Sequence, residues 1–214
     1  MRPIETRERE DTAPPAVGGS GHHTGGHQWR RIRDVIASRT VADGARPVSI
    51  DIGAPQVAAE TQGVVCGFRI AGLGERWAAG TDSLAALYRA LLGVADDLAA
   101  ANSRGARFEL LDPADLAFPA PATGSTQRPA DPEHTPQSLV AARTLHGADG
   151  PYSIIIGRPY PSEDGRYALC WFHISEHRPA VASGVDGIQA LLTAFRMIAG
   201  LRDLPADWPV SRLA

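Results

Sequence analysis

The residues with the most obvious chemical potential are a cysteine and two histidines, Cys170-x-x-His173-x-x-x-His177, whose spacing superficially suits a metal ion. The residues around them read as a β-strand. Positions three apart on a strand point to opposite faces, so Cys170 and His173 cannot converge on one ion, and no metal site is expected. His22, His23 and His27 lie in a Gly-rich stretch without fixed geometry and are read as disordered filler. Cys66 and Cys170 would need an adjacent base and solvent access to act as nucleophiles, and the sequence indicates neither. Gly72-x-Gly74 is a fragment of a dinucleotide fingerprint, but it falls between two strands and is read as a hairpin turn. There is no Gly-x-Ser-x-Gly elbow and no His-Glu-x-x-His helix. All 21 basic residues counted as Lys+Arg are arginine, so Schiff-base chemistry, pyridoxal phosphate anchoring and a P-loop lysine are excluded. No cofactor is expected.

The chain has 214 residues and a formal net charge of −3, which gives no global field to attract nucleic acid or an anionic membrane. No stretch approaches the ~20 apolar residues needed to span a bilayer, and the N-terminus has no apolar signal-peptide core. A cytoplasmic protein is expected. Two cysteines are too few for a disulfide framework, and a Cys66–Cys170 bridge is disfavoured in that compartment. The run Trp29-Arg30-Arg31-Ile32-Arg33 is read as a solvated approach to the first strand rather than a nucleic-acid contact. The abundance of alanine and arginine beside a single asparagine, Asn102, fits the codon bias of a GC-rich bacterial genome.

What must position any functional residue is a repeat. At an offset of 104 residues two segments align without a gap, with about 19 of some 61 positions identical. Arg39-Thr40 falls on Arg143-Thr144, and Ser49-Ile50-x-Ile52-Gly53-x-Pro55 on Ser153-Ile154-x-Ile156-Gly157-x-Pro159. Cys66-x-Phe68-x-Ile70 falls on Cys170-x-Phe172-x-Ile174, Gly80-x-Asp82 on Gly184-x-Asp186, and Ala86-Leu87 on Ala190-Leu191.

Each copy predicts four strands and a helix. The first strand runs from about Ile36 to Val41, or Val140 to Leu145. An alternating run, Val48 to Ile52 or Tyr152 to Ile156, completes a hairpin and is stopped by Gly-x-Pro. The third strand is Val64 to Ile70 or Ala168 to Ile174, and a short fourth lies near Trp77 to Ala79 or Ala180 to Ala182. Asp82 and Asp186 stand at helix N-cap positions, ahead of Leu84, Leu87, Leu91 and Leu98 in one copy and Ile188, Leu191, Leu192 and Phe195 in the other.

The fold expected is therefore α+β. Two tandem ββββα repeats form antiparallel sheet or sheets, each with one helix on one face, related by a pseudo-twofold axis like a fused homodimer. The divisions are a disordered tail over 1–30, a first repeat over 36–101 and an extension and Pro-rich linker over 102–138. A second repeat over 139–204 and a C-terminal tail over 205–214 follow. Phe108-Glu109-Leu110-Leu111 is read as an extra strand. The chain is expected to be a monomer with pseudo-dimeric repeats or a weak homodimer.

The twice-repeated pattern Arg-Thr, Ile-x-Ile-Gly-x-Pro, Cys-x-Phe-x-Ile, Gly-x-Asp-x-x-x-Ala-Leu resembles a small bacterial domain family of unknown function, the one numbered 6968. The resemblance implies two tandem copies and carries no activity with it.

Arg39, Arg143, Asp82 and Asp186 are the charged residues kept in both copies. They read either as paired partner sites or, preferably, as strand arginines bonded to a helix cap, a loop or a carboxylate. The function expected is that of a non-enzymatic protein acting through its surface on another protein, as an interaction or immunity-type module built from a duplicated domain. The alternative is a small-ligand-binding protein or minor enzyme with a pocket between the repeats, in which Arg69, Arg158, His173 and His177 would be the residues to examine.

Overall fold

Alternating apolar and polar side chains from Val35 onward set the first hairpin, in which β1 (Val35–Asp43) turns through Gly44, at φ +59°, into β2 (Arg46–Gly53). The computed structural model describes residues 31–58, 63–109, 138–147, 150–205 and 208–209. Pro55 interrupts the ladder after β2. From the next residue the chain pairs again as β3 (Gln56–Val57), followed by β4 (Val64–Ile70) and β5 (Gly74–Gly80). β2 and β3 pair with successive stretches of β4, and β5 pairs with its whole length. Helix α1 (Ser83–Ser103) and the short strand β6 (Phe108–Glu109) complete the first unit, with β6 on the free side of β1.

The second unit repeats the order. β7 (Leu139–Gly147), β8 (Gly150–Gly157), β9 (Tyr160–Pro161), β10 (Ala168–Ile174), β11 (Ala180–Gly184) and α2 (Gly187–Arg202) follow one another as β1 to β5 and α1 do. Even the irregularity at the start of the first strand recurs, between Val35 and Ala37 in one unit and Leu139 and Ala141 in the other. The two sheets are separate and wholly antiparallel, which makes the architecture α+β. The third strands have the bounds read from the sequence, whereas the first, second and fourth strands run one to three residues beyond them at one end or both. β3 and β9 were not expected, because two residues carry no periodic signal. The extra strand keeps only Phe108 and Glu109; Leu110 and Leu111, like residues 1–30, lie outside the described residues. The helix α1 extends to Ser103, two residues into the stretch assigned to the extension.

Each helix buries one stripe. Leu84, Leu87, Leu91, Val94 and Leu98 in α1 and Ile188, Leu191, Leu192, Phe195 and Ile198 in α2 recur at three- and four-residue spacing. These stripes meet the sheet faces carrying Cys66, Phe68 and Ile70, or Cys170, Phe172 and Ile174, in one continuous core. Each helix also meets the first strand of the other unit, α1 against β7 and α2 against β1. Tyr88 and Phe195 join the two helices edge to face, with ring centroids 5.1 Å apart.

Glycine ends each fourth strand because the helix starts directly above it. A Cβ at Gly80 would overlap the backbone nitrogen of Ala86, and one at Gly184 the backbone nitrogen of Ala190. The Gly-x-Asp pattern is thus one device, a close approach followed by a cap.

Candidate functional site

The four repeated charges meet across the junction of the units. Asp186 caps α2 by accepting from the backbone N–H of Gln189, and its two carboxylate oxygens also receive Nε and Nη2 of Arg39 in β1, at 2.7 and 3.0 Å. Asp82 does the same for α1, accepting from Ala85 N–H and, at 2.7 and 3.1 Å, from Arg143 in β7. The forked geometry is the strong form of the arginine–carboxylate contact. Its arginine half is buried, for the side chains of Arg39 and Arg143 are 0% and 8% exposed, while those of Asp186 and Asp82 are 21% and 29% exposed. Of the two roles open to these residues, the geometry supplies a strand arginine bonded to a helix cap, and the cap belongs to the other unit.

Arg158 is a third link across the junction. Its Nη2 pairs with Asp34 at 2.6 Å and its Nη1 donates to the Val35 carbonyl, while Nε reaches the Ser138 hydroxyl. Arg69 stays within its own sheet, where it donates twice to Asp51, which also accepts from the Ser38 hydroxyl. The Asp51 carboxylate raises the Arg69 pKa further above its ordinary value, first through the hydrogen bond and then through its charge.

His173 and His177 are brought together, but through backbone. His173 Nε2 donates to the His177 carbonyl oxygen at 3.0 Å, closing the turn between β10 and β11. Cys170 lies on the buried face, its thiol donating to the Gly157 carbonyl as Cys66 does to Gly53. Burial pushes both thiols well above the usual cysteine range, and both are free. Among the described residues no group of three His, Cys, Asp or Glu side chains is placed to hold a metal ion. No helix among them is long and apolar enough to cross a membrane.

The pocket expected between the repeats meets an open groove of about 250 Å³ along the junction, but its lining is Ile36, Ala37 and Ser38 of β1 with Pro159, Tyr160 and Tyr167 of the second unit, and it includes none of Arg69, Arg158, His173 and His177. The sequence reading missed Arg202, in the last turn of α2, whose guanidinium lies 4.1 Å above the Tyr152 ring and donates from Nη1 to His177 Nε2 at 3.4 Å. It occupies the helix position that Leu98 has in α1. The 104-residue alignment holds the missing signal, since Tyr152, His177 and Arg202 fall on Val48, Leu73 and Leu98, an apolar trio replaced together.

One difference between the helix starts falls at the groove. Ser83, at the start of α1, both donates to the Ala142 carbonyl and accepts from the Ala142 N–H, closing that point of the β7 edge. The residue in its place in α2 is Gly187, which has no hydroxyl and lies against Ala37 and Pro159. Ser38, in the register position of Ala142, therefore faces the groove without that cap.

No curated protein and no solved structure matches the chain. Residues 37–120, the first unit and part of the segment after it, match the family model described as Domain of unknown function (DUF6968).

Proposed function

We propose that the protein is a binding module, built by duplication of one unit, that takes an extended segment of another protein into the groove between the units. The observation carrying this reading is the shape and lining of that groove. One wall is the part of β1 ahead of its pairing with β6 at Ala42, and the backbone groups at Ser38 there suit strand addition. The other offers prolines and two tyrosines, Tyr160 and Tyr167, as flat apolar surface with polar tips. Its volume of about 250 Å³ and open form suit a peptide better than a small molecule, for which enclosed pockets of roughly 300–1,000 Å³ are usual. The repeated arginines and aspartates, committed to the ion pairs of the junction, support the frame of this site and not its contacts.

Selection of displayed extended peptides against the full chain tests the reading. Peptides so selected should protect the Ile36–Ser38 amides from exchange and lose binding to Tyr167→Ala, a change at a half-exposed side chain. Peptides that bind Tyr167→Ala equally well and protect other amides would overturn it. Fragments binding the groove more tightly than any selected peptide would favour a small-ligand site there.

A further inference from the structure

The corner where α2 ends carries a second site, about 22 Å along the helix axis from the groove at Gly187. In the first unit the corresponding corner is closed from within. Val48 and Leu98 are buried there, and β6 covers the end of β1 by pairing with Ala42 and Asp43. The Asp43 carboxylate accepts the Arg107 N–H, which fixes the approach to β6.

In the second unit each part of that closure is replaced. Tyr152, His177 and Arg202 stand in the places of Val48, Leu73 and Leu98, and Gly147 in that of Asp43. Among the described residues no strand pairs with the side of β7 away from β8, so the positions of Ala42 and Asp43, here His146 and Gly147, have no strand partner among them. Arg202 is held for presentation at this side of β7. The Tyr152 ring supports one face of its guanidinium, His177 takes Nη1, and Nη2 is left within 3.7 Å of where a Gly147 side chain would begin. Asp203 follows Arg202 and Glu176 precedes His177, yet among the described residues no carboxylate forms an ion pair with Arg202. The α2 C-terminus favours a cation in its last turn, which accounts for a basic residue here but not for the accompanying tyrosine, histidine and glycine.

We propose that this corner docks an acidic extended segment of a partner protein. The segment pairs with this edge of β7 at His146, in the manner of β6 on β1, and places a carboxylate on Arg202 Nη2 over Gly147. The corner thereby receives from outside the acidic group that the first unit supplies as Asp43. This site is independent of the groove, and loss of either leaves the other testable.

The test uses the full chain, ¹⁵N-labelled, with the capped peptide Thr-Val-Glu-Val-Thr, its Gln-containing twin and sodium acetate as probes. The Glu peptide should shift the His146 and Gly147 amides and the Arg202 Nε signal, and bind at least tenfold more tightly than the Gln twin. That preference should vanish in the triple variant Tyr152→Val, His177→Leu, Arg202→Leu, which rebuilds the first unit's corner, and in Arg202→Gln, which keeps the rest. Equal binding of the two peptides, a preference surviving in Arg202→Gln, or acetate acting as well as the Glu peptide would overturn the proposal. So would concentration-dependent shifts of the His146 and Gly147 signals without peptide, which would assign this edge to a second copy of the chain.

Discussion

At the N-terminal ends of their helices the two units are nearly interchangeable, and at the C-terminal ends they are not. Gly80, Asp82 and Arg143 at the start of α1 have the same geometry as Gly184, Asp186 and Arg39 at the start of α2. At the far end α1 runs on to Ser103 and is followed by β6, whereas α2 stops at Asp203, in the left-handed region at φ 49°, and the chain leaves to bury Trp208 against Phe195. The shared end is where each unit grips the other, so a change there must be matched across the junction. The ends that differ face away from that constraint: β6 covers one corner, and no described strand covers the other.

If the shared end is a common mechanical requirement, substitutions there should cost both units alike, and the largest effect should come from the glycines. Gly80→Ala and Gly184→Ala each drive a methyl into the backbone of the helix above, at Ala86 or Ala190, where no flexible side chain can yield. Each should destabilise by about 4 kcal/mol or more, the range of severe core disruption. Thermal melts in which either variant keeps its Tm would show that the helix can shift off the strand, and that the repeated Gly-x-Asp is not a packing device.

The ion pairs come next and should begin to separate the units. Asp186→Asn and Asp82→Asn keep a capping oxygen but remove the charge facing a buried arginine. Breaking such a pair from one side costs about 3–5 kcal/mol when the remaining charge is fully buried. Arg39 is 0% and Arg143 8% exposed, so the Asp186 variant should be the less stable by urea denaturation. Equal losses would mean that the difference in burial between the two arginines does not set the cost.

These two sets of residues also mark how far the sequence could be read. Period-two runs placed the strands, and Asp before a three-four apolar stripe placed both helices and their caps, because those signals are local. The cap that Arg39 bonds lies 147 residues away and the one that Arg143 bonds only 61, in opposite directions along the chain, and no local pattern carries either. Asp82 and Asp186 were legible as caps for the same reason that they were illegible as ion-pair partners, since one carboxylate serves both. Arg202 was missed because helical spacing alone counts it among the core positions. The groove has Gly187 where Ser83 would have been, a difference that acquires meaning only once Ala142 and Ser38 are seen beside them.

That serine and glycine give a smaller and more specific test. Ser83→Gly removes two hydrogen bonds to Ala142, each worth about 1 kcal/mol net, and should lower stability by about 1–2 kcal/mol while opening the β7 edge. The reverse change, Gly187→Ser, should not return an equal gain. A Cβ there would lie 3.2 Å from the Ala37 Cβ and 3.3 Å from its Cα, closer than ordinary contact. Urea midpoints of the two variants and of their combination measure the difference, and a stabilised Gly187→Ser would show that the groove is a relaxed alternative to the closed edge.

The smallest effect belongs to the exposed faces of the sheets, where the comparison predicts freedom. Asp51 and Arg69 pair at 2.6 Å in the first unit, and the same positions in the second hold Ile155 and His173. Arg69 is 49% exposed and Asp51 13%, so water competes for the guanidinium, and the pair contributes nearer the scale of surface ion pairs, about 0.2–1 kcal/mol, than that of a fully buried one. Replacing both together, Asp51→Ile with Arg69→His, leaves no buried charge behind. Ser38 loses its carboxylate acceptor but sits at the surface, where water can take its hydroxyl. The double variant should therefore unfold within about 1 kcal/mol of the parent, while Asp51→Ile alone should cost no more than the pair was worth. A loss several times larger, measured by urea unfolding at low and high salt, would mean that this face is held as tightly as the junction. The contrast between a constrained interface and free outer surfaces would then fail at the place where it is easiest to see.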